Sequence, residues 1–356
     1  MKKTQLQSLL GFIFMVSLVS CDQPASKKTA QLDNVKHFRQ ILFSETPWDD
    51  IKGTHPITAE EANTINNYMF TYDDKDRLVS VDYCRGDVLL GYSDLGAASI
   101  EITYDENSEI YHYFDENKQP AEVRGKVFKS VYMLDENGMR TSLEFFDKEG
   151  NPIENRNKIA SYTWSRLPDG LIKENRVNLL GMEVILNEFC PFYELRFEYD
   201  DKGFVKRMAN YEADTLYNCI AENCGDIGVS YFTFKSNDAG DLEEFTVYST
   251  TGQLSNLYWG WAKFINKVDE NGYVVETTYF DQDDEYLGGK SIPVRHYAYD
   301  EHGAVVETVM MDKDHNIVNH PTSGSAIIKY RYDEKGLPMD TLRFDKDRAP
   351  IVKEPA

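Results

Sequence analysis

The chain has 356 residues, enough for one large domain or two of ordinary size. Its 60 Asp and Glu residues against 38 Lys and Arg give a formal net charge of −22. This balance excludes a nucleic-acid binder that neutralises phosphates with a basic face. Hydrophobic residues make up 41% and charged residues 28%, which excludes wholesale disorder. The 23 Tyr and 19 Phe residues suit pleated sheets better than helix bundles.

The first twenty residues have the pattern of an export signal. Two lysines precede an apolar run at 9–19, which is shorter than the ~20 residues that cross a bilayer as a helix. The run ends in Leu18-Val19-Ser20-Cys21, which resembles the bacterial lipoprotein signal and predicts lipidation of Cys21. An ordinary secretory signal with a coincidental Cys is the alternative. We expect a signal peptide at 1–20, a flexible tether at 21–33 and a lipid anchor in the cell envelope, at the outer membrane.

The segment 34–67 has a different pattern from the rest of the chain. Val35, Phe38, Ile41 and Leu42 fall at helical spacing, and Thr58-Ala59-Glu60-Glu61 has the form of a capping box. This pattern predicts a short helical amino-terminal cap. Such a cap would cover the first edge strand of a sheet, since an uncovered edge invites aggregation.

A degenerate motif of the form Tyr-Asp-x-x-Gly recurs from about residue 68 onward. Placing its Gly or the equivalent residue at 76, 108, 138, 170, 203, 240, 272, 303 and 336 gives nine units about 32 residues apart. So steady a period indicates a repeat architecture. The best-preserved turn residues are Asp135 with Gly138, Asp200 with Gly203, Asp269 with Gly272, Asp300 with Gly303, and Asp333 with Gly336.

Each unit is predicted to be a β-hairpin. Asp opens the turn through its side chain, and Gly supplies a positive φ angle. Large, mostly aromatic residues lie six positions before the Gly and again eight positions after it, as at Tyr132 and Phe146. Even offsets predict that both sets share one face of the hairpin. Nine units imply about eighteen strands and an all-β fold.

The repeated motif resembles the tyrosine-aspartate (YD) repeats of RHS-type proteins and related bacterial lipoproteins. The resemblance covers about residues 68–350 and implies a long antiparallel sheet that curls on itself, in some members as a shell around a toxin. For nine units it implies a curved sheet or partial barrel over 68–356.

Four cysteines lie beyond the signal. Cys219 and Cys224 are five residues apart, a spacing that can close a small loop as a disulfide in an exported protein. Cys84 and Cys190 are expected to be small buried hydrophobes.

Several candidate sites have simpler structural explanations. Asp312-Lys313-Asp314-His315-Asn316 begins like a calcium loop, but Ile317 and Ser323 stand where that loop needs Gly and a bidentate Glu. Trp259 and Trp261 share one face of a strand, where two exposed indoles would stack on a sugar, although packing in the core is the favoured interpretation. The sequence contains no nucleotide-binding, zinc-protease or nucleophile-elbow motif, and it predicts no metal and no cofactor.

These observations favour a non-catalytic binding or scaffold protein that presents a sheet surface to a protein or glycan. The first alternative is a carbohydrate-active or other hydrolytic enzyme that uses carboxylates no motif marks. A pocket lined by two carboxylates of perturbed pKa would favour this enzyme. The second alternative, an envelope-anchored immunity or antitoxin-like protein, rests on the resemblance alone.

Overall fold

A computed structural model describes residues 34–351, except 92, 188–189, 191, 218–228, 258–259 and 290. These residues form one antiparallel sheet with a single 3₁₀ turn, Glu61–Asn63, and the predicted all-β fold class is confirmed. The strands are β1 Val35–Ile41, β2 Gly53–Ile57, β3 Asn67–Tyr72, β4 Leu78–Arg85, β5 Val88–Leu89, β6 Ser99–Asp105, β7 Ser108–Phe114, β8 Lys129–Leu134, β9 Arg140–Phe146, β10 Ser161–Arg166, β11 Ile172–Val177, β12 Glu194–Tyr199, β13 Val205–Glu212, β14 Thr215–Leu216, β15 Tyr231–Ser236, β16 Leu242–Tyr248, β17 Lys263–Val268, β18 Val274–Phe280, β19 Val294–Tyr299, β20 Val305–Met311, β21 Ile327–Tyr332 and β22 Pro338–Phe344.

The strands follow the repeat. Nine hairpins succeed one another, and the second strand of each pairs with the first strand of the next. We number them units 1 to 9: β3–β4, β6–β7, β8–β9, β10–β11, β12–β13, β15–β16, β17–β18, β19–β20 and β21–β22. These eighteen strands are the predicted number. The two-residue strands β5 and β14 fold back on β4 and β13, and β1 and β2 extend the sheet beyond β3.

We call the turn inside each hairpin the hairpin turn; in six of the nine units it is built by an Asp side chain. In unit 5, Asp200 Oδ1 accepts the backbone N–H groups of Lys202 and Phe204 at 2.9 Å, and Gly203 has φ = 80°. Asp135, Asp269, Asp300 and Asp333 accept two N–H groups in the same way. The carboxylate thereby replaces the hydrogen bonds that the turning backbone loses.

Most first strands bury their predicted positions, whereas Tyr297 and Tyr330 in units 8 and 9 are partly buried. Six of them are at most 6% exposed: Phe70, Ile102, Tyr132, Trp164, Phe197 and Phe234. Asn266, the exception in the pattern, is partly buried; it donates to the carbonyl of Leu242 and accepts the hydroxyl of Thr277. We call the sheet face that carries these residues the interior face.

The prediction that the later aromatic residues share this face is wrong. Tyr132 pairs across the hairpin with Leu143, whereas Phe146 pairs with Lys129. Because residues 129 and 132 are an odd number of positions apart, Phe146 lies on the opposite face. The cause is a register shift at Met133/Leu134, beside the turn, since the extra residue of a bulge changes which side chains share a face.

The predicted helical cap is also wrong. Residues 35–41 form β1, which pairs with β2 on one side and β3 on the other. Six of its seven residues are partly buried, so its apolar side chains do not alternate and their three-residue spacing imitates a helix. The capping box does form between Thr58 and Glu61, with bonds of 2.8 and 3.2 Å, but it leads only into the 3₁₀ turn before β3 begins.

The segment 42–52, between β1 and β2, packs on the interior face, and we call it the interior loop. It contacts Arg140 of unit 3, Glu174 of unit 4, Tyr199 of unit 5 and Phe234 of unit 6. The Arg140 guanidinium donates to the carbonyls of Pro47, Trp48 and Asp49 at 3.4, 3.3 and 2.7 Å. Phe43, Trp48 and Ile51 join the main hydrophobic core, so the interior of the sheet is packed.

The sheet curls until its late units stack on its early ones. Five hydrogen bonds between described residues join the hairpin turns of units 8 and 9 to the early part of the domain: Asn66 N–H to His302 O, Gly91 N–H to Lys335 O, His302 Nδ1–H to Thr64 O, Arg85 Nη2–H to Glu334 O, and Lys335 Nζ to Asn117 Oδ1. Among the described residues β2 and β22 do not pair with each other. The sheet is therefore an open spiral, and we call the contact between its early and late units the seam.

Candidate binding site

A cleft of about 300 Å³ lies at the seam. Its walls come from β1, β3 and β4 at the start of the domain and from units 7, 8 and 9 at its end. Five tyrosines line it: Tyr68 and Tyr83 on the early side, and Tyr273, Tyr299 and Tyr332 on the late side. Neither side makes this cleft alone.

The two early tyrosines form one wall. Tyr68 and Tyr83 face each other across the β3–β4 hairpin with ring centroids 4.9 Å apart. The Tyr68 hydroxyl donates to Asp94 Oδ2 and accepts the backbone N–H of Asp94, both at 3.3 Å. Burial, and then the Asp94 charge, raise the pKa of both phenols above the ordinary value, so both are neutral hydroxyl groups at physiological pH.

The late tyrosines are fixed by the repeat itself. The Tyr299 hydroxyl donates to the carbonyl of Val274 at 2.8 Å, and that of Tyr332 donates to Val305 at 2.9 Å. Tyr104 makes the same bond to Leu78 in unit 2, away from the cleft. In these three units the tyrosine of the motif ties its hairpin to the preceding one, and its ring is held in place before any ligand arrives.

On the late side of the cleft, the hairpin turn of unit 7 packs closely against unit 8. Tyr273 follows Gly272 and stacks on Tyr299 with ring centroids 4.6 Å apart. A Cβ atom at Gly303 would lie 2.1 Å from the Tyr273 hydroxyl. Here Gly is needed both for its φ of 84° and for the space that it leaves to Tyr273.

The cleft also carries opposite charges. The Arg39 guanidinium lies 5.8 Å from the centroid of the Tyr273 ring and 4.0 Å from Glu61, and Asp94 lines the early side. Aromatic faces, neutral hydroxyls, one cation and one carboxylate can hold a polar ring by stacking and by hydrogen bonds.

A second polar group lies inside the sheet, beneath the interior loop. Glu174 and Arg176 are each 1% exposed and form an ion pair. Glu174 also accepts the Thr46 hydroxyl at 2.5 Å and the Trp164 indole N–H at 2.9 Å, and Arg176 donates to the carbonyls of Phe192 and Tyr193. The pair is nearly saturated with partners, which makes it a structural connection between the loop and unit 4.

Two carboxyl groups of the interior loop have perturbed pKa values. Glu45 is half-buried by area, but protein surrounds its carboxyl group; this desolvation, followed by repulsion from Asp49, raises its pKa to about 7. Desolvation also raises the pKa of Asp49, whose oxygens accept the hydroxyls of Ser44 and Tyr199 at 2.7 and 2.8 Å.

Three turn glycines singled out from the sequence, Gly272, Gly303 and Gly336, line the cleft. The candidate ligand, disulfide and lipidation residues lie elsewhere or outside the described residues. Cys21, Cys219, Cys224 and Trp259 are outside the described residues, so the lipidation and the disulfide stay predictions. Trp261 is half-buried and packs on Phe245, Phe264 and Tyr279 at centroid distances of 5.6–5.7 Å, within the aromatic core of units 6 and 7.

The remaining cysteines and the calcium-like loop have structural surroundings. Cys84 is buried and Cys190 partly so, and both are free thiols whose pKa burial raises to about 12. Asp312 accepts the backbone N–H groups of Asp314 and Asn316 at 2.9 Å. This carboxylate is therefore engaged in a turn of the same design as the hairpin turns.

Sequence reasoning missed the cleft. Tyr299 and Tyr332 belong to the motif, but nothing in the motif distinguishes them from Tyr104 or Tyr199. They line a cleft because the spiral stacks their units on unit 1. The residues they meet, Tyr68 and Tyr83, are more than 200 positions earlier in the chain.

Comparison with known proteins finds matches among solved structures. No protein-family model and no curated protein matches the chain. Among solved structures it is similar to "TcdB2-TccC3-TEV" (TM-score 0.29, 11% identity, 79% of this chain and 14% of that one) and to "TcdB2-TccC3-Cdc42" (TM-score 0.21, 10% identity, 89% and 19%). It is also similar to a porin-like protein from Bacteroides uniformis ATCC 8492 (TM-score 0.26, 13% identity, 78% and 93%).

The chain thus spans about a seventh of the first of these structures. Within the described residues, no helix has the length and apolar character needed to cross a membrane.

Proposed function

We propose that this chain is a non-catalytic, lipid-anchored envelope protein whose spiral repeat sheet binds a short glycan in the seam cleft. The observation that carries the proposal is the cleft itself, a concave site of about 300 Å³ with five tyrosines from both sides of the seam. This volume lies at the small end of ligand pockets and suits the end of a saccharide chain better than a protein segment.

The chemistry of the lining supports a sugar ligand. A sugar ring offers apolar C–H faces for stacking and hydroxyls for hydrogen bonds, and each phenol presents a flat face and a polar tip. Arg39 and Asp94 provide a charged donor and an acceptor beside these rings. The motif bonds of Tyr299 and Tyr332 hold two of the rings, so little ordering entropy is lost on binding.

The test is a glycan-array screen of residues 22–356, without the lipidated Cys21, followed by titration calorimetry on any glycan that binds. Tyr332→Ala should weaken binding of that glycan at least tenfold, because it removes one of the three rings on the late side of the cleft. Tyr104→Ala is the matched control, since Tyr104 makes the same motif bond in unit 2. It should lower stability comparably and leave the affinity within twofold.

Two results would contradict the proposal. One is equal loss of binding in the Tyr332 and Tyr104 variants, which would make the effect one of folding. The other is a screen in which no glycan binds the folded wild-type protein.

A hydrolytic enzyme is the second candidate, favoured by the raised pKa values of Glu45 and Asp49. A carboxyl group with a pKa of about 7 is suited to general acid catalysis at neutral pH. Binding is preferred because Asp49 is engaged by Ser44 and Tyr199, both of them structural partners. Chromogenic glycoside hydrolysis that Glu45→Gln abolishes would favour the enzyme.

A further inference from the structure

One turn of the sheet ends in exposed apolar residues. It lies between β11 and β12, at Asn178-Leu179-Leu180-Gly181-Met182. Leu179 is 53% exposed, Leu180 80% and Met182 56%. Tyr193, on the same connection, is 51% exposed. We call Leu179, Leu180 and Met182 the apolar tip.

The apolar tip can be compared with the equivalent turns of other units. Other units carry the same five-residue turn after their second strand, and there the second and third turn residues are polar or charged: Glu116-Asn117, Lys148-Glu149, Thr250-Thr251, Gln282-Asp283, Lys313-Asp314 and Lys346-Asp347. Unit 4 alone among these turns has two leucines. The two leucines are therefore specific to unit 4 and are not a general feature of this type of turn.

The fold does not require the leucines. Asn178 Oδ1 accepts the backbone N–H groups of Leu180 and Met182 at 3.0 and 2.9 Å, and Gly181 has φ = 74°. Asp147 and Asp312 make the equivalent bonds in units whose tips are charged. The backbone is satisfied by Asn178 and Gly181, so the turn itself does not account for three exposed apolar side chains.

We infer that the apolar tip inserts into the surface of the membrane to which the protein is anchored. This inference rests on the lipid anchor of the proposed function. A tip of three side chains offers far less than the ~800 Å² that each partner of a stable protein interface buries. It matches instead the shallow apolar contact of a protein already held at a bilayer, where anchoring makes a weak second contact effective.

The length of the tether permits this contact. Asn34 bonds to Tyr72 beside the hairpin turn of unit 1, whereas the apolar tip lies at the opposite end of the strands in unit 4. A seven-residue strand spans ~24 Å, and the twelve residues 22–33 reach up to ~40 Å when extended. The extended tether is therefore longer than a strand, so an anchor at Cys21 leaves the apolar tip free to approach the same bilayer.

The test places a fluorescent probe on the tip of the full lipidated protein. Leu180→Cys is labelled with an environment-sensitive dye and reconstituted in phosphatidylethanolamine–phosphatidylglycerol vesicles that contain brominated lipid as quencher. Asp314→Cys is the matched control, at the same turn position in unit 8. Both variants also carry Cys219→Ser and Cys224→Ser, so that the dye reacts at one exposed site.

We expect a blue shift of the Leu180 probe and at least threefold stronger quenching by brominated lipid than at Asp314. Adding Leu179→Ser and Met182→Ser should reduce that quenching at least twofold. Equal, water-like emission at both positions in vesicle-bound protein would overturn the inference. A blue shift at Leu180 without vesicles would assign the tip to a protein contact instead and would also overturn it.

Flotation of the same vesicles separates this inference from the function on which it rests. Protein that floats with the vesicles while its Leu180 probe stays in water has its anchor but lacks the insertion. Protein that does not float until it is lipidated at another site contradicts the anchoring at Cys21. Glycan binding in the cleft is measured independently of both.

Discussion

The imidazole Nδ1 of His302 lies 2.8 Å from the carbonyl oxygen of Thr64, 238 residues earlier in the chain. This bond, together with the one from Asn66 N–H to His302 O at 2.9 Å, places the hairpin turn of unit 8 against the beginning of unit 1. The seam cleft exists because of this contact. A property of the whole spiral thus determines a site that no single repeat contains.

Gly303→Ala should damage the cleft more than the same change elsewhere. Gly303 and Gly138 both have positive φ, at 84° and 79°, so Ala costs about 1–2 kcal/mol of unfolding free energy at either position. At Gly303 the new Cβ also meets the Tyr273 hydroxyl, whereas nothing lies within 4 Å at Gly138. The overpacking adds about 1 kcal/mol or more, measured by urea denaturation.

The Gly138→Ala variant is the control for backbone strain. It should leave glycan affinity unchanged, while Gly303→Ala displaces a cleft residue and weakens it. Equal losses of stability in the two variants would mean that Tyr273 does not pack on this turn.

Arg140→Ala should destabilise the protein strongly. The Arg140 side chain is 5% exposed, pairs with Glu109, and holds three carbonyls of the interior loop. Its removal leaves Glu109 without its cation and three loop carbonyls without their donor, a loss of about 3–5 kcal/mol. Arg331→Ala, which breaks an exposed pair with Asp340, should change stability by less than about 1 kcal/mol in the same denaturation experiment.

Stability should fall between pH 4.5 and 7 because of Glu45. Burial raises the pKa of this group to about 7 from an ordinary value near 4.5, so the folded state holds the proton more tightly than the unfolded state. The stability that the folded state gains by binding this proton is complete below pH 4.5, declines as the pH rises and is gone above 7. It amounts to at most about 3 kcal/mol.

Glu45→Gln tests this assignment, because a neutral amide cannot titrate. The variant should flatten the pH dependence of the urea midpoint over that range, whereas Glu149→Gln, on an exposed turn, should leave it intact. A midpoint that rises with pH in the wild-type protein would contradict the predicted sign.

Trp261→Ala should lower the melting temperature without changing glycan affinity. The indole contacts three aromatic rings, and the loss of a core Trp costs about 3–5 kcal/mol, toward the lower end for a half-buried ring. Trp261→Phe should recover part of this loss. Unchanged melting together with lost glycan binding would make Trp261 a ligand contact instead.

The hairpins could be predicted from the sequence because their determinants are local. Asp200 and Gly203 specify a turn within five residues, and the buried Phe197 lies six positions before that Gly. Errors arose where local pattern and tertiary position disagree. The bulge beside Met133 places Phe146 on the face opposite to the predicted one. Both faces of β1 are partly covered, so its apolar residues do not alternate and their spacing resembles that of a helix.

The seam and the packing of the interior loop could not be predicted from the sequence, for a different reason. Sheet curvature accumulates from small twists between neighbouring strands, and no residue encodes where unit 8 returns to unit 1. The contact of Thr46 with Glu174, 128 residues later, depends on the same curvature. Such pairs become visible only in the folded chain.

The most direct test of the spiral is a distance between its early and late units. Spin labels at Asp87, beside β5, and at Glu334, in the hairpin turn of unit 9, lie on opposite sides of the seam, where Arg85 donates to the Glu334 carbonyl at 3.1 Å. Double electron–electron resonance on the mature protein should give one narrow distance below ~25 Å, because two label linkers add to a close backbone contact. A flat sheet of the same strand order, at ~4.8 Å per strand, would separate the labels by ~70 Å, and a distance of that size would contradict the seam and the cleft it forms.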